Sequence, residues 1–117
     1  MTNRLLPSKL RTQPRVALGR VFVSLQALKA LGAGQAPLTQ FLLRHMQGDW
    51  GLVTDEDWQR NEHALDTGDF LLSSYALSSG RKLWVHTTAA RSATFALLPA
   101  ESGRVKPWPA DWPHAAQ

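Results

Sequence analysis

Six residues carry most of the chemistry open to this chain: His45, Lys82, His86, Arg91, Ser92 and Thr94. Two imidazoles can share general base and general acid duties, and lysine or arginine can hold the charge that builds on a phosphorus centre. In that reading His45 and His86 form the acid–base pair, while Arg91 and Lys82 hold the phosphate. The reaction would be metal-independent cleavage of RNA, with the 2′-hydroxyl as nucleophile. A second cluster is Gly48-Asp49-Trp50-Gly51. Two glycines around an Asp-Trp pair predict a tight turn. Either it presents Trp50 for base stacking or partner contact beside Asp49, or it buries the indole and uses Asp49 as a cap. A third cluster is Trp108 and Trp112 with Arg104 and Lys106, where tryptophan is an anchor type enriched at interfaces. Trp84 shares a predicted strand face with Lys82 and His86 and joins the candidate binding surface. His45, Asp49 and His63 follow no established metal-ligand spacing, and Ser73 and Ser74 lie outside any nucleophile-elbow pattern. No cofactor or metal is expected.

The elements that must position these residues can be read from periodicity and punctuation. Val16 to Val23 is rich in β-branched and aromatic residues and predicts a strand, with Gly19 as its weak point. Ser24 caps a short helix whose stripe is Leu25, Leu28 and Leu31, and Gly32 is its expected left-handed stop. Pro37 begins a second helix running to about Gln47, with Leu38, Phe41 and Leu42 on its buried face. Thr54 opens a third helix with Asp55, Glu56 and Asp57 in its first turn, where the helix dipole favours acids. Trp58, Asn61 and Leu65 share a face of it, and Gly68 ends it. Three strands follow, at 70–77, 81–87 and 93–98. In the second of these, Lys82, Trp84 and His86 alternate with Leu83, Val85 and Thr87. Short connections make these strands an antiparallel meander. The expected fold class is α+β, with two to three helices on one face of that meander.

Composition bounds the rest. At 117 residues there is room for one core, and a 44% hydrophobic share is that of a folded domain. The expected division is a basic flexible arm at 1–15, a single domain at 16–102 and a Pro/Trp-rich tail at 103–117. No cysteine is present, so disulfides and thiolate chemistry are excluded. No apolar run suits a signal sequence or membrane span, and the expected location is the cytoplasm. The net charge of +4 is uneven, because Arg4, Lys9, Arg11, Arg15 and Arg20 all precede the first acid, Asp49. Such an arm can contact a phosphate backbone by counterion release.

The stretch 38–101 also resembles a family of small uncharacterised proteins found on bacterial plasmids and integrative elements. The resemblance rests on His45, the Gly48–Gly51 turn, Asn61 with Ala64-Leu65, Ser74-Tyr75, and the run Lys82, Trp84, Thr87, Arg91, Ser92, Thr94 and Pro99. The chain departs from the family pattern where Thr88 and Ala90 replace two acids. Any catalysis dependent on those carboxylates would be absent here. The resemblance implies an accessory protein of a mobile element. The expected action is binding of a macromolecule, most of all nucleic acid or a nucleic-acid-handling complex. The basic arm would steer it, and Trp50 and the tail would be anchors for a protein partner. The alternatives are the ribonuclease built on His45, His86 and Arg91, and a protein inhibitor of a host defence system.

Overall fold

The computed structural model describes residues 14–101. Among them are three helices and a four-stranded mixed sheet, an α+β arrangement. The elements are β1 (Arg20–Val23), α1 (Leu25–Ala33), α2 (Leu38–Met46), α3 (Asp55–Thr67), β2 (Leu71–Ala76), β3 (Lys82–Thr87) and β4 (Ala93–Leu97). A short 3-10 turn, Pro99–Glu101, follows. Strands β2, β3 and β4 form the expected antiparallel meander. The leading strand departs from it. β1 pairs parallel to β4, giving the order β1-β4-β3-β2, so the sheet is mixed. The intervening helices let the chain cross the sheet before β4 returns beside β1, which a hairpin could not do.

β1 is also shorter than the predicted 16–23. Gly19 has φ +64, and a Cβ there would collide with the Ser92 backbone. The chain therefore turns at Gly19 beside the β3–β4 connection and only then enters the sheet, where Arg20 N donates to Ser92 O at 3.0 Å. Val16 is buried in a cluster with Trp50, Trp58, Ala64 and Leu71.

α1 begins as predicted, with Ala27 N donating to Ser24 Oγ at 3.0 Å. Its end and its buried face are both different. Gly32 stays within the helix, the cap is Gly34 at φ −87, and Gln35 takes the left-handed conformation at φ 55. The buried residues are Ala27, Ala30 and Leu31, while Leu25 and Leu28 are 63% and 52% exposed. The small side chains let the helix backbone approach the sheet, and the leucines face outward. α2 buries Phe41 and His45, with Leu38 and Leu42 packed at the margin.

α3 matches the sequence most closely. Asp57 N donates to Thr54 Oγ1 at 3.1 Å, three acids occupy the first turn, and Gly68 closes it at φ 79. Its buried residues are Trp58, Asn61 and Ala64; Leu65 is half-buried. Asn61 lies against the edge of β2, accepting from Leu72 N at 3.2 Å and donating to Leu72 O at 2.8 Å. The side chain thus does for the strand edge what another strand would do.

Strand alternation divides the sheet into two faces. Leu71, Ser73, Tyr75, Leu83, Val85, Thr87, Thr94 and Ala96 point towards the helices. The main core sits there, with Tyr75, Leu83, Val85 and Ala96 against Ala27, Leu31 and Phe41. The opposite face carries two cross-strand rows fixed by register. One is Phe22–Phe95–His86–Leu72, and the other is Leu97–Trp84–Ser74.

Candidate functional site

His45, the first residue singled out for chemistry, lies at the last turn of α2 with no exposed surface. Its Nδ1 is 2.6 Å from Ser73 Oγ, and its Nε2 is 2.9 Å from Thr87 Oγ1. The network continues from Thr87 Oγ1 to Thr94 Oγ1 at 2.7 Å and from Thr94 Oγ1 to Leu18 O at 2.8 Å. Its direction follows from counting protons. Leu18 O can only accept, so Thr94 spends its single hydroxyl proton there. Thr87 must then donate to Thr94 and accept from His45 Nε2–H, which leaves Nδ1 bare to accept from Ser73. One tautomer of a neutral imidazole satisfies every group. Burial, with the nearby positive charges of His86 and Arg91, lowers the His45 pKa to about 3.

His86 follows the strand alternation to the opposite face of β3. Its ring is fully buried, 5.4 Å from the ring of Phe70. The proposed acid–base pair is therefore split across the sheet, with neither ring exposed, and the two imidazoles cannot flank one substrate in this conformation. Adjacent positions in a strand point oppositely, and Thr87, not His86, shares His45's face.

Arg91 sits in the β3–β4 turn in a left-handed conformation, φ 58. Its guanidinium donates to four carbonyls: Asp69 O at 2.6 Å, Ala64 O at 3.0 Å, Thr88 O at 3.1 Å and Ala89 O at 3.3 Å. It ties the end of α3 to the turn. Ala64 O, which also accepts from Gly68 N at 2.9 Å, thereby gains a charged donor at the negative end of the helix. Ser92 is exposed and belongs to the same turn, where Thr88 Oγ1 accepts from Ser92 N at 3.2 Å and Ala93 N at 3.3 Å. Thr88 thus organises the turn.

The Gly48–Gly51 segment buries its indole. Trp50 is 0% exposed, stands edge-on to His45 with centroids 5.6 Å apart, and donates from Nε1 to Glu62 Oε2 at 2.9 Å. Trp50 is thus not presented to a partner or to a nucleobase. Asp49 is committed to the turn, pairing with Arg44 at 2.8 Å and accepting from Gly51 N at 3.2 Å. Tyr75 OH donates to Asp49 O at 2.7 Å, and burial raises that phenol's pKa above its ordinary value. Gly51, at φ 76, bridges Ser74 of β2, and a Cβ there would strike Ser74 O. Trp50 O accepts from Ser74 N at 3.0 Å. The glycine lets the turn run along the sheet edge.

Arg15, expected in the flexible arm, is anchored. Its backbone N donates to Met46 O at 2.7 Å, and its guanidinium grips Glu62 at 2.8 and 3.2 Å. The rest of the arm, 1–13, and the tail with Trp108 and Trp112 lie outside the described residues.

Lys82 and Trp84 are brought together, with partners the sequence reading missed. They line a groove of about 220 Å³ between the start of α3 and the sheet face away from the helices, with Arg60, Phe70, Leu72 and Ser74. Arg60's guanidinium lies 3.9 Å from the Phe70 ring centroid. Across the sheet, Phe22 stacks on Phe95 at 5.2 Å and 17°, with Arg20's guanidinium 5.9 Å from the Phe22 centroid. Phe22 is 45% exposed. Among the described residues the ion pairs are Arg15–Glu62 and Arg44–Asp49, so Arg20, Arg60 and Lys82 have no carboxylate partner there. Basic and acidic side chains balance within 14–101, so the net +4 lies in the terminal segments. The cations on this side of the sheet are local features; the register groups Arg20 and Lys82 with Phe22 and Trp84, and α3 adds Arg60.

No protein-family model, curated protein or solved structure matches this chain. No helix among the described residues is long and apolar enough to cross a membrane.

Proposed function

We propose that this chain is a macromolecule-binding accessory protein that holds single-stranded nucleic acid on the side of its sheet that carries Phe22, Lys82 and the groove beside α3. One observation carries the reading: three cations without a carboxylate partner among the described residues stand beside aromatic rings on one side of the sheet, while Lys29 and Arg81, also without one, have no aromatic ring beside them. Arg15, Arg44 and Arg91 are spent on Glu62, Asp49 and four carbonyls. Arg20, Arg60 and Lys82 keep their charge for an outside partner and stand beside Phe22, Phe70 and Trp84. Aromatic rings interleaved with cations suit a single strand, because every base offers a π-face and every link a phosphate. A duplex hides those faces. The basic residues of the terminal segments would add long-range attraction. The mobile-element setting is part of the same proposal and rests on the resemblance of residues 38–101.

Fluorescence anisotropy with a labelled single-stranded oligonucleotide tests this. Binding should weaken steeply as salt rises. Phe22→Ala should weaken it by about tenfold, within the range of one lost base stack. No binding at low salt would end the proposal.

A further inference from the structure

The groove beside α3 has features that the general binding face does not require. Ser74 is 6% exposed and Trp84 7%, yet both line it. Neither the Ser74 hydroxyl nor the Trp84 indole N–H has a hydrogen-bond partner among the described residues. Neither atom is among the buried polar atoms left without a partner, so both reach the solvent in the groove and are open to a polar ligand there. The hydroxyl can donate or accept, and the indole only donates. Phe70 and Trp84 supply aromatic wall. Arg60 and Lys82 supply charge without a carboxylate partner. At about 220 Å³ the groove falls below the usual range for drug-sized ligands and suits one ring system.

We infer that this groove is a single-nucleotide pocket, taking one base against Trp84, Phe70 and Ser74 with its phosphate towards Lys82 and Arg60. The inference rests on the nucleic-acid reading and adds to it a place where one base is read by hydrogen bonds. Asp57 also lines the groove. An acid there accepts from exocyclic amino groups and disfavours a bare anion, so base and phosphate are recognised together.

The test is a titration of isotope-labelled full-length chain with each of the four ribonucleoside 5′-monophosphates, the matching nucleosides and inorganic phosphate, followed by amide and indole NMR signals. At least one mononucleotide should shift the Trp84 indole N–H and the Ser74 amide. Its nucleoside and phosphate should each bind at least about tenfold more weakly. Lys82→Ala removes an exposed side chain and should weaken the mononucleotide by about tenfold with folding unchanged. Ser74→Ala should narrow the differences among the four bases. Equal shifts from phosphate alone, or none at the groove with any mononucleotide, would overturn the pocket. If an oligonucleotide still binds and Phe22→Ala still weakens it, the pocket has failed and the binding face stands. If mononucleotides bind in the groove and oligonucleotides do not bind, the reverse holds.

Discussion

The two faces of the sheet treat polar residues in opposite ways. On the helix side, His45, Ser73, Thr87 and Thr94 form a closed chain in which each proton has one acceptor. On the other side, Ser74, Trp84, Arg60 and Lys82 converge on a groove without such partners among the described residues. Residue type does not separate the two sets, because both contain a hydroxyl, an aromatic ring and a group that can be cationic. What separates them is whether the protein has already met their hydrogen-bonding needs. A satisfied buried network specifies a packing; polar groups left open to solvent in a groove can take a ligand.

Breaking the helix-side network should give the largest effect. His45→Ala removes a fully buried ring and leaves Ser73 and Thr87 without their partner. Its cost should be about 3–5 kcal/mol, read as a lower midpoint in urea denaturation. Loss of less than about 1 kcal/mol would show that the network is dispensable. Arg91→Ala should follow at about 2–3 kcal/mol, since four carbonyls lose a charged donor together. Gly51→Ala belongs to the same range, because φ 76 and contact with Ser74 O both oppose a side chain.

Acid should probe the network without mutation. The His45 pKa is lowered from 6.5 unfolded to about 3 folded, so the unfolded chain binds the proton first. The neutral-ring contribution is complete above pH 6.5. It should decline by about 1.4 kcal/mol per unit as pH falls from 6.5 towards 3. Urea midpoints of the wild type and His45→Gln should therefore converge with falling pH. A constant difference across that window would contradict the buried neutral ring. On the other face, Phe22→Ala should change stability by under about 1 kcal/mol, since Phe22 is 45% exposed, while weakening oligonucleotide binding.

The sequence disclosed these faces unequally. Thr54, its three following acids and Gly68 framed α3 because capping is local chemistry. Alternation in 82–87 placed Lys82 and Trp84 with His86 and opposite Thr87, as found. The same alternation separates His86 from His45, a consequence visible only once α2 is known to cover the Thr87 face. The parallel entry of β1 and the outward turn of Leu25 and Leu28 depend on long-range packing, which periodicity does not encode. Trp50 was ambiguous because a glycine-flanked tryptophan reads alike whether presented or buried. Glu62, twelve residues on, decides it. Arg60 and Phe70 carried no motif, Ser74 entered through the resemblance and not as a groove residue, and the groove arises from tertiary contact between α3 and the edge of β2.

The most direct measurement is a matched comparison of two variants in one oligonucleotide-binding assay at low salt, each checked for folding by circular dichroism. The account predicts that Phe22→Ala stays folded and binds about tenfold more weakly, whereas His45→Gln, wherever it remains folded, binds as the wild type does. Equal binding by wild type and Phe22→Ala, or loss of binding in folded His45→Gln alone, would contradict the division of the sheet into a structural face and a binding face.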